Sequence, residues 1–510
     1  MFRVLLWKEI REHLITFRFA AALVTTFVLV VVSVWVLGDD FQRRRDNYTK
    51  ISEEAARATG EVKIPSMLEP IVHYPPSPLG IFASGEEKAL GNAVRIQRWE
   101  VPSEATDSLT DNPLLTAIPS FDLLAVFTLI TSLFGIILTY DSITGEKERG
   151  TLRQMCATVA GRWRLYAAKF VAGVVVLSIP TILSFVSGLV VLRFIHNINF
   201  GSAQWFAIVF MLGAGLLFGA VFIALGLMCS ALVNRSPTAL ILSLLLWALG
   251  VLIIPLGAVS LATAFHKLPP HSEIIKLQKV TADEVNAEID PQFGKEIDKA
   301  RAAGGLDING ALSTEAPGIF MMDGNPNAFN LYRVLIRLME RLWQGRAERI
   351  WNLEKEHEAR LREQRDFVNM FSSPAPAFYL RDIFTSLAGT DYSSHASFLE
   401  RARRFRSGML RIFREKGYFD RNAIEFISRV PQEEALSEQK FAARQASPGY
   451  RESLDLDSLE PLGSDLIPAF ESSASTPHFQ DTIRPAAVLM FMVLLFFSVG
   501  QVAFIRYDVR

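Results

Sequence analysis

Apolar residues in this chain come in long unbroken runs, separated by stretches dense in charge. A helix crossing the hydrocarbon core of a bilayer takes about 20 mostly apolar residues. Runs at 18–37, 121–140, 170–192, 205–233, 237–265 and 486–505 meet that length. The third contains Pro180, the fifth contains Pro255, and the fourth is rich in glycine. The first run is longer than the ~7–15-residue apolar core of a signal peptide and ends in no A-x-A-like site, so it reads as a retained anchor. Before it, residues 1–17 place Phe2, Leu5, Leu6, Glu9/Ile10 and His13/Leu14 in a helical register with Trp7 and basic residues beside them. That pattern suits a helix lying in a membrane interface. The pattern predicts an α-helical polytopic membrane protein with six transmembrane helices, an N-terminal interfacial helix and a largely helical extracytoplasmic domain.

Lysine and arginine orient the spans. Arg3, Lys8, Arg11 and Arg18 precede or open the first run; Lys147, Arg149, Arg153, Arg162, Arg164 and Lys169 lie between the second and third. Arg235 separates the fourth and fifth, Arg506 and Arg510 follow the sixth, and the short loop on the other side has only Arg193 at its edge. Excess positive charge marks the cytoplasmic side. Both termini are therefore expected inside a cell membrane, with 38–118 and 266–484 outside as two inserts. Their many arginines do not conflict with this, because long translocated segments escape the charge rule. The first insert reads as loop-rich, with "HYPPSPLG" (73–80) fixing extended or turned backbone. The second reads as mostly helical: 330–367 and 397–419 carry apolar residues at near-helical spacing between charges. Those helices are expected to pack on one another, with partner docking as a possible added role. Residues 445–465 are turn-rich and read as a linker back to the membrane.

Composition narrows the chemistry. A net charge of −1 gives no reason to expect a nucleic-acid or acidic partner. Two cysteines, Cys156 and Cys229, are too few for a disulfide framework and read as reduced and structural. His266 and His271, the nearest histidine pair, do not have a recognised metal spacing. The chain offers no nucleophile elbow, no H-E-x-x-H and no credible triad.

The segment "TYDSITGEKERGTLRQM" (139–155) invites comparison with a phosphate-binding loop, because Gly145 and Gly150 are separated by four residues and followed by Thr151. A P-loop needs G-x-x-x-x-G-K-[ST] between a strand and a helix. Here the lysine is missing, the preceding segment is a membrane helix, and Glu146 and Glu148 would repel a triphosphate. The stretch is not an ATP site. Leu152, Met155, Cys156 and Val159 instead recur at helical steps after it, making a short amphipathic helix with Thr151 as a candidate N-cap and Gly161 at its end. It can be read as an interfacial helix or as a docking helix for a cytoplasmic partner.

The run from Tyr140 to Lys169 resembles the coupling segment of ABC-2 type permeases, in Gly145, Glu146, Glu148, Arg149, Gly150, Thr151, Leu152, Arg162 and Lys169. In that family an acidic, glycine-marked turn precedes a short helix, a basic turn and a lysine opening the next span. One departure is visible: where the family commonly has a proline, this chain reads "ATVAGRW" (157–163). "YPPSPLGIFASG" (74–85) and "SPAPAFYLRDIFTSLAGTD" (373–391) are similar to a subgroup with large extracytoplasmic inserts, linked to copper-enzyme maturation and gliding-motility export.

The resemblance implies a permease subunit of an ABC exporter, with no cofactor of its own. ATP and Mg would belong to a separate P-loop ATPase subunit, docked on the coupling segment 141–169 that also includes Met155. A second permease subunit, identical or related, would complete the assembly. The outer domain would shape the exit or bind an extracytoplasmic protein. No run has an ionisable residue near its centre, which argues against ion-coupled transport. Hydroxyls such as Thr128, Thr131, Ser132 and Ser243 suit an amphipathic or lipid-like cargo. Gly215-x-x-x-Gly219 allows close helix approach, either within the chain or between permease subunits. Two other readings stand beside this one: a non-transporting anchor whose outer domain scaffolds a complex, and a membrane enzyme with its site outside.

Overall fold

The computed structural model describes residues 2–62, 68–106, 121–158, 161–304, 313–316, 319–321, 326–416, 470 and 477–507. The linker expected at 445–465 lies outside them. Among the described residues, six helices are long and apolar enough to cross a membrane: Phe17–Gly60, Leu123–Arg149, Arg162–Phe194, Ser202–Leu232, Ser236–Phe265 and Phe479–Arg506. They are called the first to sixth spans below. A helix over Phe2–Leu14 precedes them.

The spans alternate in direction, as short-range contacts at their ends show. At one end Arg18 pairs with Asp141 (2.9 Å), Ser230 Oγ accepts from the Ile143 and Thr144 amides (3.0 Å each), and Arg162 donates to the Ile505 carbonyl (2.9 Å). This is the motif end, and it also carries the N-terminal helix. At the opposite end, the insert end, Ser33 Oγ donates to the Phe121 carbonyl (2.5 Å), Gln364 to the His266 carbonyl (2.9 Å), and the His478 amide to the Ser386 carbonyl (3.4 Å).

The first span departs from the sequence reading. Its helix does not stop at 37 but runs 44 residues to Gly60. That is about 66 Å of rise, twice the ~30 Å of hydrocarbon it must cross. The 38–60 stretch was expected to open a loop-rich insert. It instead holds good helix formers and no proline, with an Arg43–Asp39 pair one turn apart (2.7 Å). Two further pairs brace the extension against the short helix Glu87–Leu90: Arg44–Glu87 (2.7 Å), which is buried, and Lys88–Asp40 (2.8 Å). The described remainder of that insert holds a short 3-10 helix, Pro78–Ile81, and two antiparallel strands, β1 (Ile71–His73) and β2 (Ala93–Arg95), in register Ile71↔Arg95.

The second insert is helical over His271–Gly304, Pro326–Ser372, Pro376–Ala388 and Tyr392–Glu415. A second antiparallel pair, β3 (Ser313–Ala316) and β4 (Ile319–Met321), lies between the first two of these. Pro376–Ala388 is here called the wedge helix. Proline at its first position and a left-handed Gly389 (φ 66°) after it delimit it. Leu380, Ile383 and Phe384 are fully buried, in one core with Phe127 and Phe218 of the spans. Phe384 meets Phe127 edge-on at 5.7 Å.

The two stretches singled out at 74–85 and 373–391 meet at this wedge. Ser77 Oγ donates to the Ala388 carbonyl (2.6 Å), and Thr390 Oγ1 donates to the Ala83 carbonyl (2.9 Å). The Glu86 amide donates to the Thr390 carbonyl (2.9 Å). Gly85 adopts φ +50°, and a Cβ there would sit 2.5 Å from the Thr390 carbonyl oxygen, so this crossing needs glycine.

Candidate functional site: the charged seat at the motif end

The second span ends in a six-residue helix, Thr144–Arg149, stopped by left-handed Gly150 (φ 73°). A second short helix, Thr151–Thr158, follows, and Gly161 (φ 102°) starts the third span. Between the two glycines of the P-loop-like spacing the backbone is therefore helical. The Thr151 hydroxyl donates back to the Glu146 carbonyl (3.5 Å).

Each charge in Glu146-Lys147-Glu148 is committed to a different neighbour. Glu146 points inward. Its Oε1 accepts from Lys169 Nζ at 2.6 Å, and the same ammonium reaches Glu9 on the N-terminal helix at 3.0 and 3.1 Å. These three side chains are 7%, 2% and 3% exposed, so the triad is shut away from water with one carboxylate in excess. Glu146 Oε2 is buried without a hydrogen-bond partner among the described residues. Lys147 turns the other way and donates to the Ala231 and Val233 carbonyls (2.9 and 2.8 Å), which the end of the fourth span leaves open. It also lies 4.3 Å from the centre of the Tyr507 ring, just past the sixth span. Glu148 accepts from the Ser236 amide (2.7 Å) and hydroxyl (2.9 Å), supplying an acceptor and a negative charge at the start of the fifth span.

The surrounding residues extend the pattern. Arg162 donates to the Ile505 and Tyr507 carbonyls (2.9 Å each), closing the end of the sixth span. Arg18 of the first span clasps Asp141 and donates to the Tyr140 hydroxyl (3.0 Å). Leu152 is buried and Met155 half-buried, in one cluster with Ile143, Tyr166 and Phe504, so these two members of the stripe face the bundle. His13, beside the triad, has its basicity lowered by burial, against the opposing pull of Glu9.

This six-residue helix thus touches the third, fourth and fifth spans through side chains, and Lys169 relays it to Glu9 of the N-terminal helix. The fused second span adds Arg18 of the first, and Lys147 adds Tyr507 after the sixth. What faces outward is small: Arg149, Gly150, Thr151 and Gln154 are exposed, with Trp163 and Arg164 at the next helix start. Among the described residues, Arg149 bends back only to the Gly145 carbonyl (3.0 Å).

Of the residues expected to form a coupling segment, the structure brings all together but divides them in two. Glu146, Leu152, Arg162 and Lys169 hold the segment to the bundle, whereas Arg149, Gly150 and Thr151 form its surface. Glu148 is exposed yet engaged as a cap. Glu9, Lys147, Ser230 and Ser236 were not singled out from the sequence. Glu9 left one signal, a carboxylate within the apolar register of the N-terminal helix. Gly215 and Gly219 lie elsewhere, against the chain's own side chains. A Cβ on Gly215 would meet the Phe127 ring at 2.8 Å, and one on Gly219 would meet Leu177 at 3.0 Å.

Comparison with known proteins follows the same division. The family described as "ABC-2 family transporter protein" matches residues 3–289, which hold the first five spans and the seat. A family described as "Domain of unknown function (DUF3526)" matches residues 337–444 in the second insert. The "Probable ABC transporter permease protein NosY" of Stutzerimonas stutzeri is 31% identical over 149 residues, covering 29% of this chain and 54% of that protein. The protein of the same description from Pseudomonas aeruginosa is 29% identical over 149 residues, with the same coverage. The chain thus spans about half the length of the curated relatives it matches.

Proposed function

Because the chain belongs to the ABC-2 transporter family, as a membrane subunit without an ATPase of its own, we propose that it works as the permease of an ATP-driven exporter. A separate P-loop ATPase subunit, holding ATP and Mg, docks on the surface formed by Arg149, Gly150, Thr151 and Gln154. A second permease subunit, identical or related, pairs with this one. The motif end faces the cytoplasm, so both termini lie inside the cell membrane, and the two inserts lie outside it.

One observation carries this reading. That small surface adjoins a helix whose three consecutive charges each hold a different part of the bundle. A shift of this helix by an ångström or two moves the third, fourth and fifth spans together, because their hydrogen bonds and ion pair end on it. Packed bundles respond to such shifts by switching between discrete arrangements. A partner that binds the segment differently in its two nucleotide states would bias that equilibrium. A simple anchor would have no use for so short a lever tied to so many spans.

The test separates surface from seat. With the ATPase subunit co-purified, Arg149→Ala should weaken its retention while the thermal midpoint of the permease stays within about 2 °C, as expected for an exposed residue. Unchanged retention in Arg149→Ala and in Gln154→Ala would overturn the assigned docking surface.

A further inference from the structure

A cavity of about 890 Å³ opens at the insert end, between the second span, the fifth span, the end of the long helix Pro326–Ser372 and the wedge helix. Its size falls within the ~300–1,000 Å³ range of small-molecule sites. Its lining is divided. The part lined by the two spans is mostly apolar, with Leu124, Ala125, Leu129, Val251, Pro255 and half-exposed Val259 beside Thr128 and the buried Asp122. The rim is charged, with Glu86, Arg365, Arg381, Asp382 and Asp391.

The backbone around it is unusual in one respect. Among the described residues there are two π-helical segments, Val126–Thr131 and Leu249–Ile253, and both border this cavity. A π turn inserts an extra residue, breaks the regular side-chain stacking, and is found mostly at functional positions. Just inside, Trp247 Nε1 donates to Ser132 Oγ (2.8 Å), bridging the two spans below the cavity. Gly250 lies so near the wedge helix that a Cβ would come within 3.2 Å of Pro376. The two spans are thus pinned together at the floor and bowed around a space above it.

The rim carries both signs. Arg365 and Arg381 both reach Glu86, at 3.0 and 3.1 Å, so two guanidinium groups share one carboxylate. The carboxylate of Asp382, one residue from Arg381, makes no hydrogen bond or salt bridge among the described residues, and burial raises its pKa, with Asp391 and Asp481 adding to the shift. Asp391 is engaged in capping Ser394 (3.3 Å). The rim therefore offers spare donors for an anion on one side and a spare carboxylate for a cation beside it.

We propose that this cavity binds an acyl-chain amphiphile with a zwitterionic head: the chain lies between the two π segments, the anionic part of the head meets Arg365 and Arg381, and the ammonium meets Asp382. The site deepens the permease reading and rests on it, since that reading sets the rim at the outer bilayer surface. Binding itself needs no ATPase, so this proposal can fail while the permease reading stands.

The experiment is native mass spectrometry of the delipidated full chain, titrated with phosphatidylethanolamine, lysophosphatidylethanolamine and phosphatidylglycerol. One saturable equivalent of a zwitterionic probe is expected. The two-chain probe points to bilayer phospholipid, and the one-chain probe alone to a single-chain amphiphile; both uphold the site. Leu129→Trp, which fills the apolar part, should weaken binding more than about tenfold, and Asp382→Asn should weaken the zwitterionic probes about three- to tenfold. Val259→Trp, at the half-open wall, serves if Leu129→Trp fails to fold. The proposal is overturned by no saturable binding, by binding indifferent to the filling variant, or by phosphatidylglycerol binding as tightly as the zwitterions.

Discussion

Lys169 carries two carboxylates in a site nearly closed to water, and that arrangement decides what its loss does. Removing the ammonium leaves Glu9 and Glu146 buried together without a cation, a situation that costs about 3–5 kcal/mol. Lys169→Met should lower the thermal midpoint of the detergent-solubilised chain by several degrees. Glu9→Gln removes the excess carboxylate and should cost much less. If Lys169→Met melts like the parent, the triad is not what holds the N-terminal helix. His395, buried on the helix Tyr392–Glu415, carries a second single-residue expectation. Burial lowers its imidazole from the ordinary 6.5 to about 4. A folded state that keeps the ring neutral binds fewer protons than the unfolded state below 6.5. Its stabilising contribution is therefore complete above 6.5 and lost as the pH falls toward 4, at up to about 1.4 kcal/mol per pH unit. Melting curves between pH 4 and 7 should show that slope, and His395→Phe should flatten it.

At the scale of elements, the helix Thr144–Arg149 acts as a connector. Lys147→Met frees the end of the fourth span and Glu148→Ala frees the start of the fifth. Each should leave the ATPase subunit bound yet reduce the coupling of its turnover to transport, measured as ATP hydrolysed per cargo moved. Full coupling in both variants would mean the segment transmits nothing through those contacts. Span packing gives a related expectation. Gly215→Val drives a side chain into the Phe127 ring and should cost about 1–3 kcal/mol by overpacking. Phe127→Ala should restore part of it, which a melting-curve cycle on the two variants would detect. Hydropathy made the six spans legible because an apolar run of that length has few other uses. It missed the extension of the first helix to Gly60, since charged residues follow Gly38 and only the ion pairs to Asp40 and Glu87 show that the helix continues. The wedge helix was missed for the opposite reason. Thirteen residues are too few to register as a span, yet they are apolar enough to enter the bundle beside one.

For the whole molecule, the seat at the motif end and the cavity at the insert end lie at opposite ends of the same two spans, the second and the fifth. Glu148 of the second span holds Ser236 of the fifth at one end, and the π segments of both spans frame the cavity at the other. A ligand in the cavity and a partner at the seat would therefore act on one pair of helices. Glu146, Glu148, Arg149 and Lys169 were legible as a group from their motif, whereas Glu9, Lys147, Ser230 and Ser236 were not. The roles of the first four were not legible, because which of Glu146, Glu148 and Arg149 faces inward depends on the left-handed turn at Gly150 and on where Lys169 and Glu9 return. The measurement that bears most directly on the account is the composition of the complex purified in gentle detergent, with Arg149→Glu beside the parent. The parent should hold a stoichiometric P-loop ATPase subunit, and the reversed charge should release it while the permease keeps its thermal midpoint. A parent chain that never carries such a subunit, or an Arg149→Glu variant that keeps it in full, would contradict the account.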